Sequence, residues 1–540
     1  MTISGCRCKK MEMKKEITRL ESFKEKLSHG GGPDAIKKQR AAGKLTAWER
    51  MELLFDRGSF QELDLMARPF RTGFEIDNKE TPRDAIVVGY GEIHKRTVYA
   101  ASYDYTVAGG SQASTQMMKL AKVIEQARNE GYPYVGIIDS GGRRLQDRVG
   151  KFGYRTPICI DGCGGGQIDM FSPPMASGII PQICIMLGPC YAGAAYIPMM
   201  SDFLIFRRGV SFMSVASPAL LKAVTFKDVT QDEIGGALLH ATTTGSCDIL
   251  AESDEEALEK CRALLTFLPS NWKEKPPVVD TGDDPTRRDE KLIDLVPEDD
   301  SQPLDMYALI ASIADNGDFF EIGKLWAPNL ITGYARLAGR TVGIVANNPM
   351  VDHGALNIDS CDKEAHFIRT CDCFNVPLIF LVDTPGFLPS LEQEQSREGL
   401  ERNAAKPVFA ICEATVPRIV VYVRKCYGAA RLVMGSRGMG VDSVLAWPSG
   451  ALRPMDLKSL ARQIYREEIG ERTKSAAGLS HKVELLAKQF EEPYNSAGLM
   501  AIEDIISPPD TRIVLINRLN RLSTKHETKR PWKKQGLIRL

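Results

Sequence analysis

Two short apolar stretches around a polar turn, then a longer segment with helical spacing, then a compact β-branched run: this order occurs twice along the chain. In the first half, Ala85 to Ile93 and Arg96 to Ser102 read as a strand pair, Ser114 to Glu130 carries apolar residues at helical intervals, and Tyr134 to Asp139 is a strand ending in a glycine turn. In the second half, Gly333 to Leu337, Arg340 to Ala346, Lys363 to Phe374 and Pro377 to Asp383 repeat it. Strands separated by helices in a repeated ββα unit predict layered α/β domains rather than a sandwich. The longest uncharged stretch, Met170 to Ser201, contains Pro173, Pro174, Pro181, Pro189 and Pro198. Those prolines break a spanning helix, so a buried strand leading into a buried helix is the reading.

The repetition extends to individual residues. Gly89-Tyr90 and Arg96-Thr97-Val98 recur as Gly333-Tyr334 and Arg340-Thr341-Val342, and Asp139-Ser140-Gly141-Gly142 recurs at the same displacement as Asp383-Thr384-Pro385-Gly386. Upstream, Asp56-x-Gly58-x-Phe60-x-Glu62 returns as Asp315-x-Gly317-x-Phe319-x-Glu321. Downstream, Cys190-Tyr191-Ala192-Gly193-Ala194 returns as Cys426-Tyr427-Gly428-Ala429-Ala430. Ordered landmarks of this kind mean a duplication. The expected organisation is one domain over residues 1–275, a polar Pro- and Asp-rich linker over 276–303, and a second domain over 304–540.

Composition narrows the partners and the compartment. The 540 residues carry 69 basic and 69 acidic side chains, so no net field holds nucleic acid or an anionic membrane surface. Thirteen cysteines lack a framework spacing or paired C-x-x-C motifs, which predicts reduced thiols in the cytoplasm and no bound metal. The basic amino terminus has no apolar run behind it, which argues against a secretory signal. G-x-S-x-G, H-E-x-x-H and Walker motifs are absent, and Gly188-x-x-x-x-Gly193 is not a dinucleotide fingerprint. His240 is a general-base candidate without a visible partner.

What remains is a pair of small-residue turns. Each follows a strand, Ile183 to Leu187 before Ala192-Gly193-Ala194 and Arg418 to Val423 before Gly428-Ala429-Ala430. Unpaired N–H groups at such a helix start can face a developing oxyanion, and tiny side chains let a thioester or ureido oxygen approach.

With these turns the chain resembles the carboxyltransferase β subunit of biotin-dependent acyl-CoA carboxylases, of the propionyl-CoA carboxylase type. The resemblance covers nearly the whole length. It rests on Gly43-Lys44-Leu45-Thr46-Ala47-Trp48-Glu49-Arg50, Asp139-Ser140-Gly141-Gly142, Gly188-Pro189-Cys190, Gln231 to Ala237, Val382 to Phe387, Ala446-Trp447-Pro448 and Arg530-Pro531-Trp532. It implies two crotonase-like domains per chain and a hexamer in which the first domain of one subunit faces the second domain of another. It further implies acyl-CoA at the first domain and carboxybiotin at the second, and partnership with a biotin carboxylase and a biotin carrier. The amides of Ala192, Gly193 and Ala194 would then hold the thioester enolate, and those of Gly428, Ala429 and Ala430 the ureido oxygen of biotin. No Ala-Met-Lys-Met context is present, so biotin is expected on a separate polypeptide.

The departures from the family fall at the same places. Ala192-Gly193-Ala194 and Gly428-Ala429-Ala430 stand where relatives have Gly-Gly-Ala, and Arg431-Leu432 replaces Tyr-Asp. Gly141-Gly142 is followed by Arg143-Arg144 instead of Ala-Arg, with Arg148 beyond, and the segment through Lys151, Cys159 and Cys163 to Gly166 is longer. Gly141, Gly142, Arg143, Arg144, Arg431 and Leu432 are therefore the expected substrate-binding positions. Arginines beside the acyl pocket point to a carboxylate-bearing or bulky polar acyl group, unless Asp147 and CoA phosphates neutralise them. The direction of transfer stays open, and a non-catalytic paralogue of the carboxylase core is the alternative.

Overall fold

The computed structural model describes residues 13–149, 168–299, 302–466, 476–490 and 492–525. The first twelve residues with Cys6 and Cys8, the stretch with Lys151, Cys159 and Cys163 to Gly166, the Arg148 side chain and Arg530 to Trp532 lie outside them. The described residues of Met1–Ala237 and Leu250–Arg262 form one compact unit, and those of Leu238–Ile249 and Ala263–Leu540 a second.

In the first unit the strands are β1 (Gln61–Leu63), β2 (Ile86–Ile93), β3 (Arg96–Tyr103), β4 (Tyr134–Ile138), β5 (Gln182–Met186), β6 (Pro189–Tyr191), β7 (Phe203–Arg207), β8 (Phe212–Ser214) and β9 (Ile249–Ala251). The sheet runs β1-β2-β3-β4-β5-β7-β9, and β6 pairs β8 in a small separate ladder. In the second unit they are β10 (Phe319–Ile322), β11 (Leu330–Leu337), β12 (Arg340–Asn347), β13 (Leu378–Thr384), β14 (Arg418–Tyr427), β15 (Ser443–Ala446), β16 (Ala451–Arg453) and β17 (Asp504–Ile505). That sheet runs β10-β11-β12-β13-β14-β15-β17, with β16 alongside the end of β14. Each sheet opens with antiparallel pairs and continues parallel. One strand order in both units carries the expected duplication into three dimensions.

The parallel strands are apolar along most of their length because helices cover such sheets. Every residue of β4, β5 and β13 is buried. Met117, Leu120, Ala121, Val123 and Ile124 on the helix Ser114–Glu130 are buried, and that helix ends at Gly131 in the left-handed conformation. Its counterpart Ile358–Cys373 begins five residues before the helix read from the sequence as Lys363 to Phe374. Asn357 caps it through a reciprocal box with Ser360, so its polar first turn is helical.

Two further elements differ from expectation. Met170 to Ser201 holds the expected strand and short helix, but it starts inside a helix, Ile168–Ala176, that includes Pro173 and Pro174. The described part of the stretch 276–303 is strapped onto the second unit: Leu292 enters its core, Arg287 donates to the carbonyls of Ser312 and Ala314, and Val279 N–H donates to Gly339 O. No helix among the described residues is long and apolar enough to cross a membrane.

Candidate active site

Each unit brings two loops together beyond the carboxyl ends of its parallel strands. The first follows β4 or β13. Gly142 (φ +95°) and Gly386 (φ +121°) both adopt a backbone that favours glycine, and each donates its N–H to the hydroxyl two residues earlier, Ser140 or Thr384, at 3.2 Å. Bridges at equivalent positions, Gln112 with Arg143 and Leu356 with Phe387, dock these loops on the chain entering the covering helix. Gly110 cannot carry a side chain, because a Cβ there would lie 2.2 Å from Asp139 O; at Gly354 the distance to Asp383 O is 2.6 Å.

The second loop is the small-residue turn. In the first unit β6 delivers the chain into a 3₁₀ turn, Ala192–Ala195, continued by one α turn, Tyr196–Met199. In the second, β14 leads into the single turn Ala430–Val433. The expected helix starts are therefore one or two turns long. A Cβ on Gly142 would lie 3.7 Å from Tyr191 Cβ, and one on Gly386 would lie 3.6 Å from Tyr427 O, so the two loops abut in both units.

The turns differ in which amides they leave open. Gly428 N–H donates to Arg453 O at 2.9 Å, which removes it from the trio expected to bind the ureido oxygen and leaves Ala429 and Ala430. The strand pairing is the reason: β16 runs beside Lys425–Tyr427 and its last carbonyl reaches one residue further. In the first unit Ala192 and Gly193 begin a 3₁₀ turn, whose first amides have no acceptor within it. Ala194 is the third residue of that turn and is buried. Ala192 has φ +53° and its counterpart Gly428 φ +61°, so the same left-handed residue opens each turn.

The expected substrate-binding residues separate into two groups. Arg143 reaches the turn, its Nε 3.6 Å from a Cβ built on Gly193, with its guanidinium also against Met117 Sδ. Arg144 does not face the turn: buried, it pairs with Asp84 at 2.7 Å and donates to the hydroxyl and carbonyl of Ser111. Asp147, weighed as a neutraliser of the arginines, instead accepts the N–H and hydroxyl of Ser114 and holds the start of its helix. Gly141 donates to Gly109 O, while Arg431 and Leu432 are exposed beside Ala430. His240 Nδ1 meets Thr244 Oγ1 at 2.8 Å in a π turn of the second unit, a local hydrogen bond.

Buried carboxylates anchor both sites, and nothing local in the sequence marks how. Asp139 ends β4 and is held by Lys44 (2.6 Å), Arg50 (3.1 Å) and Gln39. Asp383 ends β13 and is held by Arg424, whose Nη2 lies 2.8 Å away. Arg424, within β14, and Gly188, just after β5, occupy equivalent places in the repeat. Gly188 has no room for a side chain, since a Cβ would lie 1.9 Å from Asp139 Oδ1, and the positive charge comes instead from Lys44, in the loop before the helix Ala47–Leu54, and Arg50 on that helix. That role explains the Gly43 to Arg50 motif. Burial pushes Lys44 below its ordinary pKa while Asp139 pulls it back up.

A cavity of 420 Å³ in the first unit is lined by Phe23, Phe70, the basic residues Lys26, Arg68, Arg71, Lys79 and Arg144 and the acidic residues Asp77 and Glu80, the last paired with Lys26 at 2.6 Å. Arg144 joins its wall to the loop carrying Arg143. Among the described residues no group of three or more His, Cys, Asp or Glu side chains could hold a metal, and the described cysteines form no disulfide.

Residues 38–538 match the carboxyl transferase domain. The chain is 41% identical over 525 residues to the methylmalonyl-CoA decarboxylase subunit alpha of Veillonella parvula, covering 97% of this chain and 99% of that one. It is 40% identical over 529 residues to the propionyl-CoA carboxylase beta chain of Cereibacter sphaeroides, covering 98% and 100%. Among solved structures, the transcarboxylase 12S hexamer with methylmalonyl-coenzyme A and methylmalonic acid bound superposes with a TM-score of 0.91 at 38% identity, covering 98% and 99%. The chain belongs to the carboxyl transferase family, with the duplicated crotonase-like fold, and is an enzyme of the acyl-CoA carboxyltransferase class that its motifs indicate.

Proposed function

We propose that this chain moves a carboxyl group between carboxybiotin and an acyl-CoA by holding an oxyanion at each of its two small-residue turns. The observation that carries the reading is the repeated turn with unengaged leading amides, Ala192 and Gly193 in one unit and Ala429 and Ala430 in the other. The N–H groups of the first turn bind the thioester oxygen and stabilise the enolate formed when the α-carbon loses its proton or its carboxyl group. The Ala429 and Ala430 amides, preceded by Gly428 and on residues that carry only methyl side chains, fit the ureido oxygen of biotin; when bound as carboxybiotin, biotin supplies the carboxyl group. Arg143 lies where the acyl group meets Gly193 and reads it. The cavity bordered by Lys26, Arg68, Arg71 and Arg144 receives the anionic part of coenzyme A.

Stabilising the enolate lowers the barrier in both directions. The resemblance to both a decarboxylase subunit and a carboxylase chain therefore fits one site run either way. A hexamer supplied by a biotin carboxylase and a biotin carrier is the proposed assembly, and the cytoplasm its proposed place. The test is to combine the purified chain with carboxylated biotin carrier and a panel of acyl-CoAs, and with the corresponding carboxylated thioesters and free carrier. Transfer is expected in at least one direction; intact CoA binding with no transfer in either leaves a structural paralogue.

A further inference from the structure

The biotin-side turn has a support that the acyl-side turn lacks. Gly428 N–H is held by Arg453 O at 2.9 Å, and a Cβ on Gly428 would lie 3.2 Å from Pro454 O, so β16 sets where Ala429 and Ala430 stand. β16 is in turn gripped by one carboxylate. Glu492 accepts a hydrogen bond at 3.0 Å from Nε of Arg453, the last residue of that strand. The Glu492 side chain is 2% exposed and its Arg453 partner 17%, so the pair is shielded from water. In the first unit the residue equivalent to Arg453 is Ser214, opposite Tyr191 in the β6–β8 ladder, and its hydroxyl turns to Ala216 O.

Resting on the functional reading above, we infer that Glu492 is a positioning residue for the biotin half of the reaction, fixing the Ala429 and Ala430 amides through β16 and the Gly428–Arg453 hydrogen bond. It sits more than sixty positions along the chain from the turn it sets and touches no reacting atom.

The charges around Glu492 give the assignment a second readout. Burial is the largest influence and raises its carboxyl; Arg453 on β16, the Leu452 N–H and Arg431 on the turn beyond Ala430 act against it, and the value settles at about 7. The buried Cys426 thiol at the end of β14, pushed up to about 12, stays neutral. The grip on Arg453 needs the carboxylate. It is complete above about pH 7 and is lost as the pH falls through that value.

The experiment measures transfer between carboxylated carrier and acyl-CoA from about pH 6 to 9 for the full chain, Glu492→Gln and Glu492→Ala. The wild-type rate is expected to fall on the acid side with a midpoint near 7. Glu492→Gln is expected to lose that limb and run roughly tenfold slower on the alkaline side, with the acyl-CoA KM held within about twofold. Glu492→Ala should be slower still. If the alanine chain does not assemble, the isosteric glutamine chain decides. Wild-type turnover with an intact acid limb in Glu492→Gln overturns the inference, as does a loss shared equally by acyl-CoA binding. Absence of transfer by the wild-type chain overturns the functional reading and the inference with it.

Discussion

The methyl group of Ala192 strains the chain where that of Ala429 does not. The family resemblance puts glycine at both positions, yet Ala192 has φ +53° and Ala429 φ −70°. A side chain in the left-handed region costs about 1–2 kcal/mol, partly offset because glycine gives the unfolded chain more freedom. Ala192→Gly should therefore stabilise the protein by roughly 0.5–1 kcal/mol, seen as a raised denaturant midpoint at unchanged slope; an unchanged or lowered midpoint means the turn does not carry this strain. At Arg143 the expectation concerns selectivity. With its Nε close to Gly193, the guanidinium would reach the carboxylate of an acyl group bound at that turn as proposed. Arg143→Ala should cost a dicarboxylic acyl-CoA about 2 kcal/mol more in kcat/KM than propionyl-CoA. Equal losses for the two thioesters would remove Arg143 from acyl recognition.

Helices and turns are joined by a repeated device that periodicity conceals. Lys119 on Ser114–Glu130 and Lys363 on Ile358–Cys373 are buried at equivalent places and donate to backbone carbonyls at the entry to the first long strand. Lys119 reaches Arg83 and Ile86, while Lys363 reaches Gly323, Trp326, Ala327 and Leu330. Burial pushes Lys119 down to about 8 and Lys363 down to about 7. Lys363→Met leaves more buried carbonyls unpaired than Lys119→Met. It should cost about 3–5 kcal/mol in urea unfolding against about 1–3 for Lys119→Met; the reverse order would refute the acceptor count as the cause. The same contrast marks what was legible in the sequence. Ser114–Glu130 was read to both ends because its apolar positions fall on one face, and the duplication was visible because glycine turns keep residue identity. A lysine inside an amphipathic pattern reads as solvated, however. Asp139 meets Lys44 and Arg50 only after the chain folds back, and Glu492 finds Arg453 across a tertiary contact. The commitment of Gly428 N–H to Arg453 O required the register of β16, which no local pattern specifies.

At the scale of the whole molecule, the first unit presents an apolar surface that its own described residues leave uncovered. On the helix Pro218–Thr225 no residue is buried, and Leu220 and Val224, with Phe226 just beyond, are exposed, Phe226 at 90%. An isolated exposed leucine needs no explanation, but a helix with this many apolar side chains in water is the mark of an interface. In the hexamer proposed above, a second copy of the chain is the expected cover. Sedimentation at micromolar concentration should show the wild-type chain as a hexamer. Substituting Val224→Asp together with Phe226→Asp should move it to smaller species, because each buried aspartate without a partner costs several kcal/mol per interface. If the proposed site draws its acyl side and its biotin side from different copies, that dissociation should abolish carboxyl transfer while each subunit keeps its secondary structure by circular dichroism. A dissociated variant that still transfers the carboxyl group would show that one chain is sufficient; an undisturbed hexamer would place the interface elsewhere on the surface.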